Sequence, residues 1–334
     1  MKEKQPEALR AGFSSGDKSS PLMISTLSEW YDAKHRKVSC EEIAYINSLA
    51  ITSCPYCGSP AIRRDGFKKS GLRCYECSSC GRKFSPVTNT IFDSGKIPFS
   101  EWIEYLSHLF EFHSVLTSSI DNRNAYSTGR YWLSKVFPVL QKYQDSIIFV
   151  GRVYADETYV PKWESKKVAK NGKELRGLSS NQYSIYSLTD GNKCYLKLEG
   201  VGKPSVPRVT KAYSSHISKG STFVHDGENA HREFIRSLNL VSEVHVVDKS
   251  KKIEDRNNPL EPINKVHRCL KEFLSSHGGY SGDTLQDWLN LFAFIYNNKG
   301  NNYQKAQAFI EMAIKMHIKL RYSEWSNKEN NDKS

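Results

Sequence analysis

The stretch from Ile147 to Trp163, IIFVGRVYADETYVPKW, constrains the fold most, because an apolar, β-branched and aromatic run carries two consecutive acids, Asp156 and Glu157. Val, Ile, Phe and Tyr without a helical period predict a strand. A charge inside such a strand is costly unless it is paired or binds a metal, so Asp156 needs a reason to be there. A second run, Ser221 to Asp226 (STFVHD), starts after Gly220, ends in an acid and breaks at Gly227. If the two strands lie side by side, Asp226 stands beside Asp156 and the pair offers oxygens to a hard cation. Either Asp alone would serve equally as a turn former or strand-end cap.

A chain of 334 residues is long enough for two or three domains with a substantial core. An apolar share of 38% with 12% aromatics indicates globular folding. The longest uninterrupted apolar run, Leu291 to Tyr296, is far too short to cross a bilayer. The first twenty residues read as a flexible tail without the apolar core of a signal peptide, so a cytoplasmic protein is expected, nucleoid-associated if its partner is DNA. The formal charge of +12 suggests an anionic partner such as DNA, although lysines on solvated helix faces would produce the same balance.

The eight cysteines are unevenly spread, with Cys54, Cys57, Cys74, Cys77 and Cys80 in one short segment. A disulfide framework would be more even and need a secretory route, so the cluster points to metal. CPYCG and CSSCG are two tight turns whose glycines let backbone amides point at sulfur. Together Cys54, Cys57, Cys77 and Cys80 make a four-cysteine Zn²⁺ site with a β-hairpin between the pairs. Redox CxxC motifs do not come as paired knuckles. Cys74 lacks a following Gly and is left as an accessory thiol.

Around this ribbon the pattern is helical. Ser28 to Leu49 predicts two short amphipathic helices, and Ile97 to Tyr143 a longer helical stretch. In the latter, Ser100 is expected as an N-cap, a short helix covers Ser114 to Ile120, and a longer one opens near Ser127 or Thr128. This arrangement fits a helix-turn-helix module showing Arg130 and Lys135 to DNA, and equally a plain three-helix linker. Pro138 is expected to kink or end the last helix. Beyond the first long strand, Lys162 to Arg176 holds six Lys or Arg against two Glu, either a loop tracking a phosphate backbone or a solvated loop. Strands at Gln182 to Leu188 and Lys193 to Val201 flank an Asp190-Gly191 turn. A helix at Val206 to Ile217, the strand ending at Asp226, a helix at His231 to Leu238 and a strand at Ser242 to Val247 complete a mixed α/β sheet.

Pro262 suits the first position of a further helix. There Val266, Leu270, Phe273 and Leu274 form a buried stripe, while Asn264, His267 and Lys271 share another face. An amide oxygen, an imidazole and an ammonium are what a metal and phosphate site would use, and a solvated face would also explain them.

With CPYCG and CSSCG before RKFSPVTNTIF, ADETYV, VHDGENAH and INKVHRCLKEFL, the chain resembles the zinc-ribbon transposases of insertion sequences, members of the DDE superfamily. The resemblance covers roughly Leu49 to Tyr296 and implies an RNase H-like mixed α/β sheet flanked by helices. It also implies Asp156 and Asp226 as Mg²⁺ (or Mn²⁺) ligands and a third ligand from a C-terminal helix. The superfamily usually has an acid there; Asn264 in INKVHRCLK is similar to an Asp-Asp-Asn branch, with Glu261 as the rival. Lys271 would neutralise phosphate, and Glu157 and His267 would support the ligands. The layout expected is a tail (1–20), a short helical segment (21–50), the ribbon (51–92), the helical module (93–145), the catalytic domain (146–300) and a C-terminal helix with a polar tail (301–334). The implied reaction is two-metal cleavage and joining of terminal inverted repeats by a homodimer or larger assembly on DNA. A zinc-ribbon transcription protein, an RNase H-like nuclease without strand transfer, and a decayed transposase that only binds DNA are the alternatives.

Overall fold

A computed structural model describes residues 40–93, 98–162, 182–246, 257–276, 280 and 282–331. The tail, the earlier part of the first helical segment, and the basic insertion beyond Lys162 lie outside the described residues. The chain opens with α1 (Cys40–Ser48) and a small antiparallel sheet of β1 (Ile62–Phe67), β2 (Arg73–Cys77) and β3 (Lys83–Phe84), in that order. The hairpin expected between the cysteine pairs is β1–β2, with Ile62 opposite Cys77. Its core is small: Cys54, Tyr75, Cys77 and Phe84. Asn47 ties α1 to the hairpin, accepting from Arg73 N at 2.8 Å and donating to Gly71 O at 2.9 Å.

Helices α2 (Phe99–Phe110), α3 (Val115–Asp121) and α4 (Tyr126–Asp145) follow, and three expectations change here. α2 begins at Phe99 behind Pro98, so Ser100 is inside the helix rather than its cap. The amides of Phe99 and Ser100 instead donate to the Glu42 carboxylate of α1, at 3.2 and 3.1 Å. A long-range acid thus meets the positive end of α2, which no local motif announces. α4 starts at Tyr126 behind Ala125, with no capping side chain. It also runs through Pro138 to Asp145. Val136, Val139 and Leu140 are fully buried on either side, and that packing outweighs the roughly 3 kcal/mol of an interior proline.

The large sheet contains β4 (Arg152–Pro161), β5 (Gln182–Thr189), β6 (Cys194–Val201), β7 (Thr222–His225) and β8 (Val241–Val244). Interleaved and following are α5 (Val206–Tyr213), α6 (His231–Ser237), α7 (Glu261–Ser276), α8 (Gly282–Asn297), α9 (Asn302–Met316) and α10 (Tyr322–Asn331). The spatial order is β6-β5-β4-β7-β8, in which β5 is antiparallel to both its neighbours and β4, β7 and β8 are parallel. Counted within the sheet this is third, second, first, fourth, fifth, the RNase H-like arrangement. β4 does not start at Ile147, because Gly151 at φ 85 breaks the run. α5 stops short of Ile217, which pairs with Phe149 in an isolated bridge instead.

Helices cover both faces of the sheet. On one, Val160, Ile185 and Leu196 pack with α4, α7 and α8 in a cluster that continues into α2 and α9. On the other, Val153, Ala155, Tyr186 and Leu188 pack with α5 and α6. The helical segment therefore shares its core with the sheet: Trp102 of α2 stacks on Trp132 of α4 at 4.4 Å between centroids, inside the same cluster. The outer edge of β6 is closed by amide side chains. Gln144 accepts from Leu196 N (2.7 Å) and donates to Leu196 O (3.1 Å); Asn297 does the same for Cys194 (2.7 and 2.9 Å). Leu198 N donates to Gln286 at 2.8 Å. Much of an edge strand is thereby paired without another strand.

Candidate active site and metal centres

Cys54, Cys57, Cys77 and Cys80 come together as the sequence spacing demands. Gly58 N donates to Cys54 O at 2.9 Å and Gly81 N to Cys77 O at 2.8 Å, with both glycines left-handed at φ 72 and 70. The Sγ atoms of Cys54 and Cys80 are 3.7 Å apart and those of Cys57 and Cys77 3.6 Å. A tetrahedron with Zn–S bonds of about 2.3 Å has edges near 3.8 Å, so the four sulfurs fit that ion. Burial opposes ionisation of Cys77, but the amides of Cys80 and Ser79 outweigh it and draw this thiol down to about 6. Cys74 lies outside the cluster.

In the large sheet, ladder pairing between β4 and β7 ends at Tyr154 opposite Val224. Asp156 and Asp226 each lie two residues beyond that last pair, close enough for the charge of Asp226 to act on Asp156. Both belong to the face covered by α7, where Ile263 of that helix and Leu260 just before it pack with Tyr154 and Val224. Asp156 is recessed, and its burial, then the charges of Glu157 and Asp226, push its carboxyl up to about 7. Asp226 is exposed and accepts from Glu228 N at 3.0 Å. Among the described residues neither aspartate has a Lys or Arg within ion-pair distance.

α7 brings His267 over Asp156, with Nδ1 at 3.8 Å from Oδ2. That is too long for a hydrogen bond. Burial and the neighbouring Lys271 push His267 down to about 3, so the contact is a neutral ring beside a carboxyl and not an ion pair. Its Nε2 is buried without a hydrogen-bond partner among the described residues. A cleft of about 520 Å³ is lined by Asp156, Glu157, Thr158, Tyr159, Gln182, His267 and Lys271. Asp226 and Asn264 are not in its lining. Asn264 is half-buried, one helical turn before His267. Glu261, the rival, pairs with Arg268 of the same helix at 2.9 Å.

Glu157 behaves differently from its neighbour. Strand alternation turns its carboxylate to the opposite face, where it is buried and meets Tyr213 OH at 3.2 Å and His231 Nε2 at 3.1 Å. His231 Nδ1 lies 3.2 Å from His225 Nδ1, which also accepts from Gly227 N at 3.1 Å. The hydrogen-bond pattern assigns the protons. His225 Nδ1 accepts, so its Nε2–H donates to Ser242 Oγ at 3.1 Å. His231 then donates from both nitrogens and is the imidazolium partner of Glu157. Burial opposes that charge, but Glu157 outweighs it and His231 is raised; burial and His231 lower His225 to about 4. His225, Asp226 and His231 have ligand atoms close enough for a metal, yet the ring nitrogens are taken by these bonds. Sequence reading used only Asp226 from VHDGENAH; a His on each side of it was the available signal.

The helical segment also departs from expectation. Lys135 is buried and not offered to DNA: Nζ donates to Ile91 O at 2.8 Å and lies 4.6 Å from the Tyr131 ring centroid. Burial lowers it to about 8. Arg130 is half-buried.

No family model matches this chain, and no curated protein matches it. Solved structures similar to it include the Mos1 strand transfer complex, at 12% identity and TM-score 0.29 over 66% of this chain and 76% of that one. The Mos1 transposase catalytic domain with raltegravir and Mg is similar at 15% identity and TM-score 0.29, over 54% and 88%. The simian T-cell lymphotropic virus intasome with PP2A regulatory subunit B56 gamma is similar at 12% identity and TM-score 0.31, over 46% and 51%. The match thus spans about half the length of the intasome chain. Among the described residues no helix is long and apolar enough to cross a membrane.

Proposed function

We propose that the chain is a DNA transposase of the Asp-Asp-Asn kind, cleaving the terminal inverted repeats of an insertion sequence and joining them to target DNA. The observation that carries the reading is Asp156: a recessed carboxyl lifted to about 7 by its burial and then by the charges of Glu157 and Asp226. A divalent cation relieves that repulsion, and Mg²⁺ takes carboxylate, amide and water oxygens at about 2.0 to 2.1 Å. When bound, Mg²⁺ or Mn²⁺ would supply Lewis-acid activation of the attacking oxygen and of the scissile phosphate. Asp156, Asp226 and Asn264 hold it, His267 walls the cleft and Lys271, exposed on the same helix, meets phosphate. Water attacks the phosphodiester at the element's end and releases a 3′-hydroxyl; that hydroxyl then attacks a target phosphodiester and displaces its 3′-oxygen. Zn²⁺ on the four cysteines fixes the ribbon, which with the helical segment engages the repeats, and two ends require a dimer or larger assembly.

The test uses the full chain and duplex DNA carrying the inverted repeats that flank its coding frame. Asp156→Ala is expected to abolish Mg²⁺-dependent cleavage while repeat binding persists, and Asn264→Ala to lower the rate by orders of magnitude. Normal cleavage by Asn264→Ala together with a dead Glu261→Ala would move the third corner to Glu261.

A further inference from the structure

The two strands that carry the aspartates part company just where the aspartates stand. Ladder pairing of β4 with β7 ends at Tyr154–Val224, so no described β4–β7 backbone pair fixes the distance between Asp156 and Asp226. What joins the strands beyond that point lies on the reverse face. Glu157 follows Asp156 and His225 precedes Asp226, and alternation turns both toward α5 and α6. There His231, the first residue of α6, bridges them: Nε2 to Glu157 Oε1 at 3.1 Å and Nδ1 to His225 Nδ1 at 3.2 Å. Gly227 N donates to His225 Nδ1 at 3.1 Å, which locks the turn on the far side of Asp226. His231 is 0% exposed, His225 2% and Glu157 8%.

A buried ion pair is weak as a source of stability, since apolar residues of similar volume would do as well or better. Its worth lies in fixing one geometry. We propose that Glu157, His231 and His225 form a brace that sets the separation of Asp156 and Asp226, and so the affinity of that site for a divalent cation. These are positioning residues, because none of them touches the cation or the DNA. The inference rests on the reading of Asp156 and Asp226 as metal ligands.

The groups facing His231 are Glu157 on β4, Tyr213 on α5 with its ring 6.4 Å away, Phe223 and His225 on β7, and the two aspartates through space. Removing only one member of the pair leaves an uncompensated buried group, so the informative variants are the near-isosteric Glu157→Gln, and Glu157→Gln with His231→Asn. The amides keep hydrogen-bonding capacity and remove the charge.

The experiment is Mn²⁺ binding to the full chain, followed by the electron paramagnetic resonance signal of free Mn²⁺, with the unfolding midpoint measured alongside. Asp156→Asn serves as the control for the site itself. The expected result is loss of the tight Mn²⁺ site in Asp156→Asn, and a dissociation constant raised about tenfold or more in Glu157→Gln and in the double variant, with cooperative unfolding retained. If Asp156→Asn loses Mn²⁺ but both brace variants bind it like wild type, the brace is overturned and the metal site stands. If Asp156→Asn binds Mn²⁺ like wild type, the metal site is wrong and the brace falls with it. A single variant that fails to fold is replaced by the double variant, whose Mn²⁺ affinity then decides.

Discussion

At the scale of single residues, neighbours in sequence have opposite fates, and pleating decides which. Asp156 faces α7 and the cleft, while Glu157 is buried in a network with His231 and Tyr213. The run ADETYV announced that an acid sat in a strand but not which face each acid took, since that needs the register of β4 against β5 and β7. Lys135 shows the same limit. Its spacing on α4 is compatible with an exposed basic face, yet Ile91 O and Tyr131 draw it inward. Its lowered folded value, about 8 against 10.5, means the unfolded chain binds more protons between those pH values. Stability attributable to Lys135 therefore rises as pH climbs from about 8 to 10.5, and its desolvation cost is fully present below about 8. Lys135→Met is expected to flatten the dependence of the unfolding free energy on pH in that window and to leave the salt dependence of DNA binding unchanged. A weaker salt slope for Lys135→Met would return it to the DNA interface.

At the scale of elements, the ribbon was legible because its chemistry is local: two knuckles, two left-handed glycines and a hairpin, all within one short segment. With four buried residues at its core, this unit is expected to depend on metal to hold its shape. Metal analysis is expected to find one zinc per chain, lost in Cys57→Ser and in Cys80→Ser; full zinc in both variants would refute the assignment. The ends of α2 and α4 were not legible. Glu42 caps α2 from a different helix, and burial of Val136, Val139 and Leu140 carries α4 through Pro138, so both outcomes depend on contacts far apart in the chain. The amide closure of β6 is of the same kind. Gln144→Leu leaves Leu196 N without its α4 acceptor, and thermal or denaturant unfolding is expected to show a loss of about 1–3 kcal/mol. An unchanged stability would mean that water or Gln286 replaces it.

At the scale of the whole molecule, the alternation of strand and helix runs conveyed a mixed α/β sheet, and the parallel pairing of β4 with β7 brings the ends that carry Asp156 and Asp226 to the same side of the sheet. What the pattern did not convey is that the helical segment and the sheet share a core, for periodicity marks a buried face without naming what buries it. On the function proposed above, Asp156 and Asp226 hold one divalent-cation site. The most direct measurement is anomalous scattering from crystals of the full chain soaked in Mn²⁺. A manganese peak is expected at about 2.1 Å from a carboxylate oxygen of each aspartate, on the α7 face of the sheet. A strong peak on the His225 and His231 rings instead, or none near Asp156 in manganese-loaded crystals, would contradict it.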